Sequence, residues 1–285
     1  MERNHPTVFL KTIFLLLWCF LCNAGSSAQA ADQPQGEQKF QGFNLEGFDE
    51  GGEKAWEVNG DTADIQGMEI KLSHVDANSY GKQKMNVTAQ TGYMDQVNGK
   101  MRLEKDVVIT SETGSQLLTD KLDWDKNNDL VSTKEEVVIT DEHFTASGKG
   151  MRAKPGLKNA ILEEDVRVHM KSDPAKPDTK PVTITSDGPM EMDQAKSLAT
   201  FQDNVYAVQE DQTLKTDRME VYFDAVTKTI AEIICIGNVE IQQGENKSLA
   251  EKAQYKAKER KLILTGRPKV IMLTEGQNAI TPSGN

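Results

Sequence analysis

The sequence predicts an all-β protein built from repeated antiparallel strand pairs, and three observations predict it. First, a short apolar arm recurs around an anchor valine, with an acidic or amide residue before it and an aliphatic residue two after it. The copies are Asp106-Val107-Val108-Ile109, Glu136-Val137-Val138-Ile139, Asp165-Val166-Arg167-Val168, Asn204-Val205-Tyr206-Ala207 and Asn238-Val239-Glu240-Ile241, with a weaker copy at Lys269-Val270-Ile271-Met272. The anchors lie 30, 29, 39, 34 and 31 residues apart, the spacing of one supersecondary unit stacked along the chain. Second, the stretches between anchors alternate with period two, as where Met68, Ile70 and Leu72 interleave with Glu69, Lys71 and Ser73, which is the pattern of a half-buried strand. Third, turn residues fall in the gaps. Asn98-Gly99 predicts a two-residue type I′ hairpin, and the corresponding gaps are 126–129, 156–159, 194–197, 225–228 and 258–261.

A second feature keeps phase with the anchors. A small residue followed by a polar one recurs as Ala89-Gln90, Thr119-Asp120, Ala146-Ser147, Thr185-Ser186, Thr216-Asp217 and Ala250-Glu251.

Residues 1–30 read as an export signal. Arg3 and Lys11 supply the charged front, Ile13 to Cys22 is an apolar run, and Ala28-Gln29-Ala30 places cleavage after Ala30. That run is short of the roughly 20 residues a spanning helix requires, so cleavage is favoured over a retained anchor. Losing Glu2, Arg3 and Lys11 from 44 acidic and 33 basic residues leaves 43 and 31, a net charge near −12. Such a surface argues against nucleic acid, whose binding rests on clustered cations. Cys19 and Cys22 leave with the signal, so Cys235 stands alone and no internal disulfide forms.

Residues 31–53, rich in Gly and Gln, read as a linker. Strand alternation begins at Trp56-Glu57-Val58, and a first β region covers 54–170. Pro174, Pro177 and Pro181 mark 171–181 as a connector, because proline lacks the donor that a central ladder needs. A second β region covers 182–274, joined to the first either as one sheet or by a hinge. Residues 275–285 read as a tail.

The search for chemistry returns little. Asp123 to Asp129 has the alternating oxygens of a calcium loop, but Asn128 and Lys134 stand where an EF-hand needs Gly and Glu. His74, His143 and His169 lack a second ligand at metal spacing, and no nucleophile elbow, zinc-protease pair or phosphate-binding glycine loop occurs. No cofactor is implied. What remains is an apolar stripe: Val107, Ile109, Val137, Ile139, Val166, Val168, Val205, Val239 and Ile241 on one arm, and Trp124, Met192, Phe223 and Tyr255 among the bulky residues of the other. Such a stripe either fills a core or lines a trough for an apolar guest. Trp56 and Val58 at one end, and Val270, Ile271 and Met272 at the other, are expected on unpaired edge strands that invite a partner strand.

The unit running from Ile236-Gly237-Asn238-Val239 through Ala250-Glu251-Lys252-Ala253-Gln254-Tyr255 to Leu262-Ile263-Leu264-Thr265-Gly266-Arg267-Pro268 resembles the OstA-like repeat of the LptA family, and Thr183 to Asp193 looks like the opening strand of that domain. The region from Trp56-Glu57-Val58-Asn59-Gly60 through Gly92, Gly114 and Trp124 looks more like the LptC family. The resemblance implies an antiparallel β-jellyroll, or β-taco, whose open V-shaped interior shelters lipid A acyl chains. It also implies a periplasmic bridge without enzymatic activity, joined head to tail through edge strands to the inner-membrane lipopolysaccharide ABC exporter, to other OstA-like proteins or to itself. A retained N-terminal helix is usual in LptC, and one such domain is usual in LptA; this chain departs from both. The alternative is a structural, adhesin-like β-repeat scaffold without lipid cargo. A carbohydrate-active enzyme ranks behind both.

Overall fold

A computed structural model describes residues 38–49, 51–80, 84–125, 127–154, 159–172, 180–224 and 229–272, so the signal, Ala30, most of the connector and the tail lie outside it. The described residues form β1 (Gln38–Phe48), β2 (Lys54–Gln66), β3 (Glu69–Ser79), β4 (Met85–Asp95), β5 (Lys100–Ser111), β6 (Gln116–Asp125), β7 (Leu130–Thr140), β8 (Phe144–Lys154), β9 (Asn159–Met170), β10 (Val182–Ser186), β11 (Met190–Asp193), β12 (Leu198–Gln209), β13 (Gln212–Phe223), β14 (Ile230–Gln243), β15 (Asn246–Lys256), β16 (Lys261–Thr265) and β17 (Lys269–Ile271). Pairing is antiparallel throughout and follows chain order, each strand lying against the next. Two positions in this meander hold a broken strand. Both β10 and β11 pair with β9 and β12, interrupted at Pro189, and both β16 and β17 pair with β15, interrupted at Pro268.

The question left open at the connector is settled by register. Val168 faces Ile184 and Ala160 faces Met192, so one sheet runs uninterrupted from the first β region into the second.

Each strand is creased near its middle, and the repeat signature encodes the crease. Asp106, Asp165, Asn204 and Asn238, the residues before four of the anchors, have φ of 52°, 52°, 50° and 46°. Asn and Asp tolerate this left-handed conformation better than most residues, which is why the position is acidic or amide. Ladder register slips at the same places, between Glu104 and Val107, Gln202 and Val205, and Ile236 and Val239, and such bulges bend a strand. Adjacent creases are tied by side chains. Asn238 Nδ2 donates to Asp217 Oδ2 at 2.9 Å, Asn204 Nδ2 to Asp187 Oδ2 at 2.7 Å, and Thr216 Oγ1 lies 3.0 Å from the carbonyls of both Ile236 and Gly237.

Inside the crease, valines face small residues. Val107 and Val137 both pair with Thr119, Val137 also with Gly148, Val166 with Ser186, Val205 with Thr216 and Val239 with Ala250. In two repeats the small partners, Gly148 and Ser186, lie one or two residues beyond the recurring Ala146 and Thr185. The two arms converge at this point and leave no room for a second bulky row.

Two other expectations change. The hairpin after β4 is a four-residue turn at 96–99 in which only Gly99 has positive φ, at 61°, so it is not type I′. Its organiser is Asp95, whose Oδ1 accepts from the amides of Val97 and Asn98, both at 3.0 Å. Asp125 and Asp193 cap their turns the same way through Asn128 and Lys196, and hydrogen bonds from the side chains of Asn98, Asn128 and Lys196, with these backbone bonds second, hold all three carboxyls below the usual range. In the calcium-like stretch Asp123 faces elsewhere, accepting from Arg102 Nε at 2.7 Å. Residues 38–48, read as linker, form β1 along β2. As an edge strand β1 exposes most residues on both faces, so it carries no clear alternation for a sequence reader to find.

Candidate functional site: the apolar interior

Cross-strand register assembles the inward residues into two rows, one on each arm. The first passes through Val58, Ala77, Val87, Ile109, Leu117, Ile139, Ala146, Val168, Ile184, Ala207, Leu214 and Ile241, then Ser248 and Val270, each the direct partner of the next. The second passes through Ile65, Ile70, Met94, Met101, Trp124, Val131, Ala153, Ala160, Met192, Ala199, Val221, Ile233, Tyr255 and Leu262. A flat sheet would leave such a face in water. Here the anchors Val107, Val137, Val166, Val205 and Val239 are at most 1 % exposed, because the creased sheet covers its own inner face, its two arms packing as facing sheets do.

The structure therefore places the sequence-predicted residues in three settings. The five anchors and Ile109 are closed core, Val168 and Trp124 are buried, Ile139, Ile241, Met192 and Phe223 are half-buried against that core, and Tyr255 is half-buried. The residue pattern allowed either a filled core or a trough along the anchors; in this structure the anchors themselves are closed core. One apolar gap, a cavity of about 40 Å³, lies against Val58, Leu72, Val75, Val87, Met94 and Leu103, above the roughly 10–15 Å³ that a single water needs. Both rows open toward the C-terminal edge: Leu214, Ile233, Ile241 and Tyr255 are half-buried, and Leu262 and Val270 are 48 % and 53 % exposed.

Sequence reasoning missed Leu117, Ile184, Leu214 and Ile233, each in register opposite a residue it did select, and Val221, whose partners Ala199 and Ile233 it also passed over. Val270 also changes role. It continues the row of Ile241, two positions past an anchor, and Pro268 occupies the anchor place. The edge expectation fails at the N-terminal end, where β1 covers β2 and leaves Trp56 and Val58 buried. At the other end Val270 and Ile271 lie on β17 and Met272 just beyond, all exposed. Cys235 is buried in the interior, and desolvation pushes its thiol up to about 12, so it packs as a small hydrophobe.

Comparison with known proteins bears on this interior. Residues 10–171 match the family model described as lipopolysaccharide-assembly, LptC-related, and residues 183–284 match that of the LptA/(LptD N-terminal domain) LPS transport protein. Among solved structures, LptH of Pseudomonas aeruginosa, described as the LptA homologous periplasmic component of the lipopolysaccharide transport device, is similar at 12% identity and a TM-score of 0.24. The match covers 68% of this chain and 97% of that one. No curated protein matches the chain. The chain belongs to the LptC-related lipopolysaccharide-assembly family, and an LptA/LptD N-terminal type transport domain follows in the same polypeptide.

Proposed function

We propose that this protein is a non-enzymatic periplasmic carrier that shelters lipid A acyl chains between its two arms and bridges the inner-membrane exporter toward the outer membrane. The observation that carries the proposal is the pair of apolar rows, interrupted at Ser248, which crosses from the LptC-like into the LptA-like region through Val168 and Ile184. A hydrocarbon guest gains about 0.8 kcal/mol per buried methylene, so one sheltered acyl chain supplies several kcal/mol toward parting the arms. Entry is favoured from the C-terminal edge, where the rows are already half open. The acidic surface suits a ligand gripped by its tails with its phosphates outside.

Ile241→Asp tests this, because the site is half-buried and accepts a charge more readily than an anchor. The variant should keep its strand circular dichroism and lose co-elution with lipopolysaccharide on gel filtration. Glu240→Ala, on the neighbouring residue paired to Lys247 at 2.8 Å, should retain it. Equal lipopolysaccharide binding by Ile241→Asp and wild type would remove the interior as the binding site. The closed anchors favour one rival, a scaffold whose interior is filled by its own side chains, which predicts no lipopolysaccharide on any of the three proteins.

A further inference from the structure

Both edges of the sheet run in the same direction, and this restricts how two copies can join. β2 passes from the first row at Val58 to the second at Ile65, and each following strand reverses. The last, β16 with β17, runs from the second row at Leu262 to the first at Val270. β1 runs the same way, from Gln38 opposite Ile65 to Leu45 opposite Val58. If a second copy adds its β16–β17 edge outside β1 with the rows aligned, the strands are parallel, unlike every pair within the chain. If β1 leaves, the same edge meets β2 antiparallel, with Val270 opposite Val58, which is the geometry of the internal β9–β10 joint.

β1 is suited to leaving. Gly42, at φ 62°, is followed by Phe43 and, two further on, Leu45, and Phe43 faces Gly60, whose added Cβ would meet the Phe43 ring at 2.5 Å. β1 is thus one more copy of the creased unit: a left-handed residue, an anchor and a first-row aliphatic. Arg267, at φ 53°, then Pro268 and Val270 present the same unit on the C-terminal edge. Yet few of β1's own side chains are buried, although its Gly47 lies against the Trp56 ring. Phe40 and Phe48 are exposed, and Phe43 is only half-buried. Its side-chain ties are solvent-facing and polar: Lys54 Nζ to Glu46 at 2.5 Å, and Asn44 Nδ2 to Asn59 Oδ1 at 2.6 Å and Glu57 Oε1 at 3.2 Å. Exposed pairs of this kind contribute little, and the backbone hydrogen bonds lost on departure are remade by an incoming strand.

We infer that β1 is a resident cover strand over the N-terminal docking edge, and that the C-terminal edge of a second copy of this chain displaces it. The inference rests on the edge-to-edge bridging proposed above. The test places cysteines at Asn44→Cys and Asn59→Cys, which are direct cross-strand partners, in the chain from Ala31 onward, which lacks Cys19 and Cys22, and compares oxidised with reduced protein by light scattering. The native Cys235 is buried on β14 and stays out of the exchange. The reduced protein should associate end to end as wild type does, and the oxidised protein should remain monomeric. Oxidised protein that associates as well as reduced, while Ile271→Pro on β17 is monomeric, would overturn displacement and leave edge bridging standing. No association by wild type or reduced protein would overturn both.

Discussion

Phe201→Ala should destabilise the fold by about 3–5 kcal/mol, the range for truncating a buried aromatic, and urea unfolding will measure it. Phe201 is 2 % exposed on β12, with Met190 on one neighbouring strand and Met219 on the other as direct partners. Removing the ring leaves a gap lined by apolar side chains, and a dry gap of that kind accepts an apolar guest. Added lipopolysaccharide should therefore recover more stability in Phe201→Ala than in wild type if acyl chains reach this depth. An equal recovery in both proteins would place the chains elsewhere.

The second large effect concerns the crease. Gly237 has φ of 83°, and a Cβ there would lie 2.3 Å from Asp217 Oδ2. Gly237→Val should cost about 1–3 kcal/mol for backbone strain alone, with a further loss as Asp217 is pushed from the Asn238 amide. Asn238→Gly still accepts the φ of 46° at this position, removes that side-chain tie and should cost about 1 kcal/mol. If the two variants unfold at the same urea concentration, the crease is not held by its left-handed backbone.

The comparison of Asp106 with β1 shows what the sequence could and could not convey. The acidic or amide residue before each anchor was visible as a pattern, and at all but Glu136 the structure supplies its cause, since Asp106, Asp165, Asn204 and Asn238 take the left-handed turn of the crease. β1 contains the same unit as Gly42-Phe43-Asn44-Leu45, but with Phe at the anchor and nearly every side chain in water it carries no period-two burial signal. Periodicity also shows that Val137 or Val205 points inward without showing whether the opposing arm touches it, because that distance depends on how sharply each strand folds. Ile184 was invisible for another reason: its place in the row is fixed only by pairing with Val168 across the proline-rich connector. Cross-strand register of that kind has no local sequence mark.

That joint is where the account is most exposed. A photocrosslinking residue at Ile184, compared with Val137 and Val239 in the flanking regions and with outward Arg167 and Glu240, measures whether cargo passes through one interior. The account predicts lipopolysaccharide adducts at Ile184, Val137 and Val239 and none at the outward positions. Adducts confined to one region, or found only at Arg167 and Glu240, would contradict it.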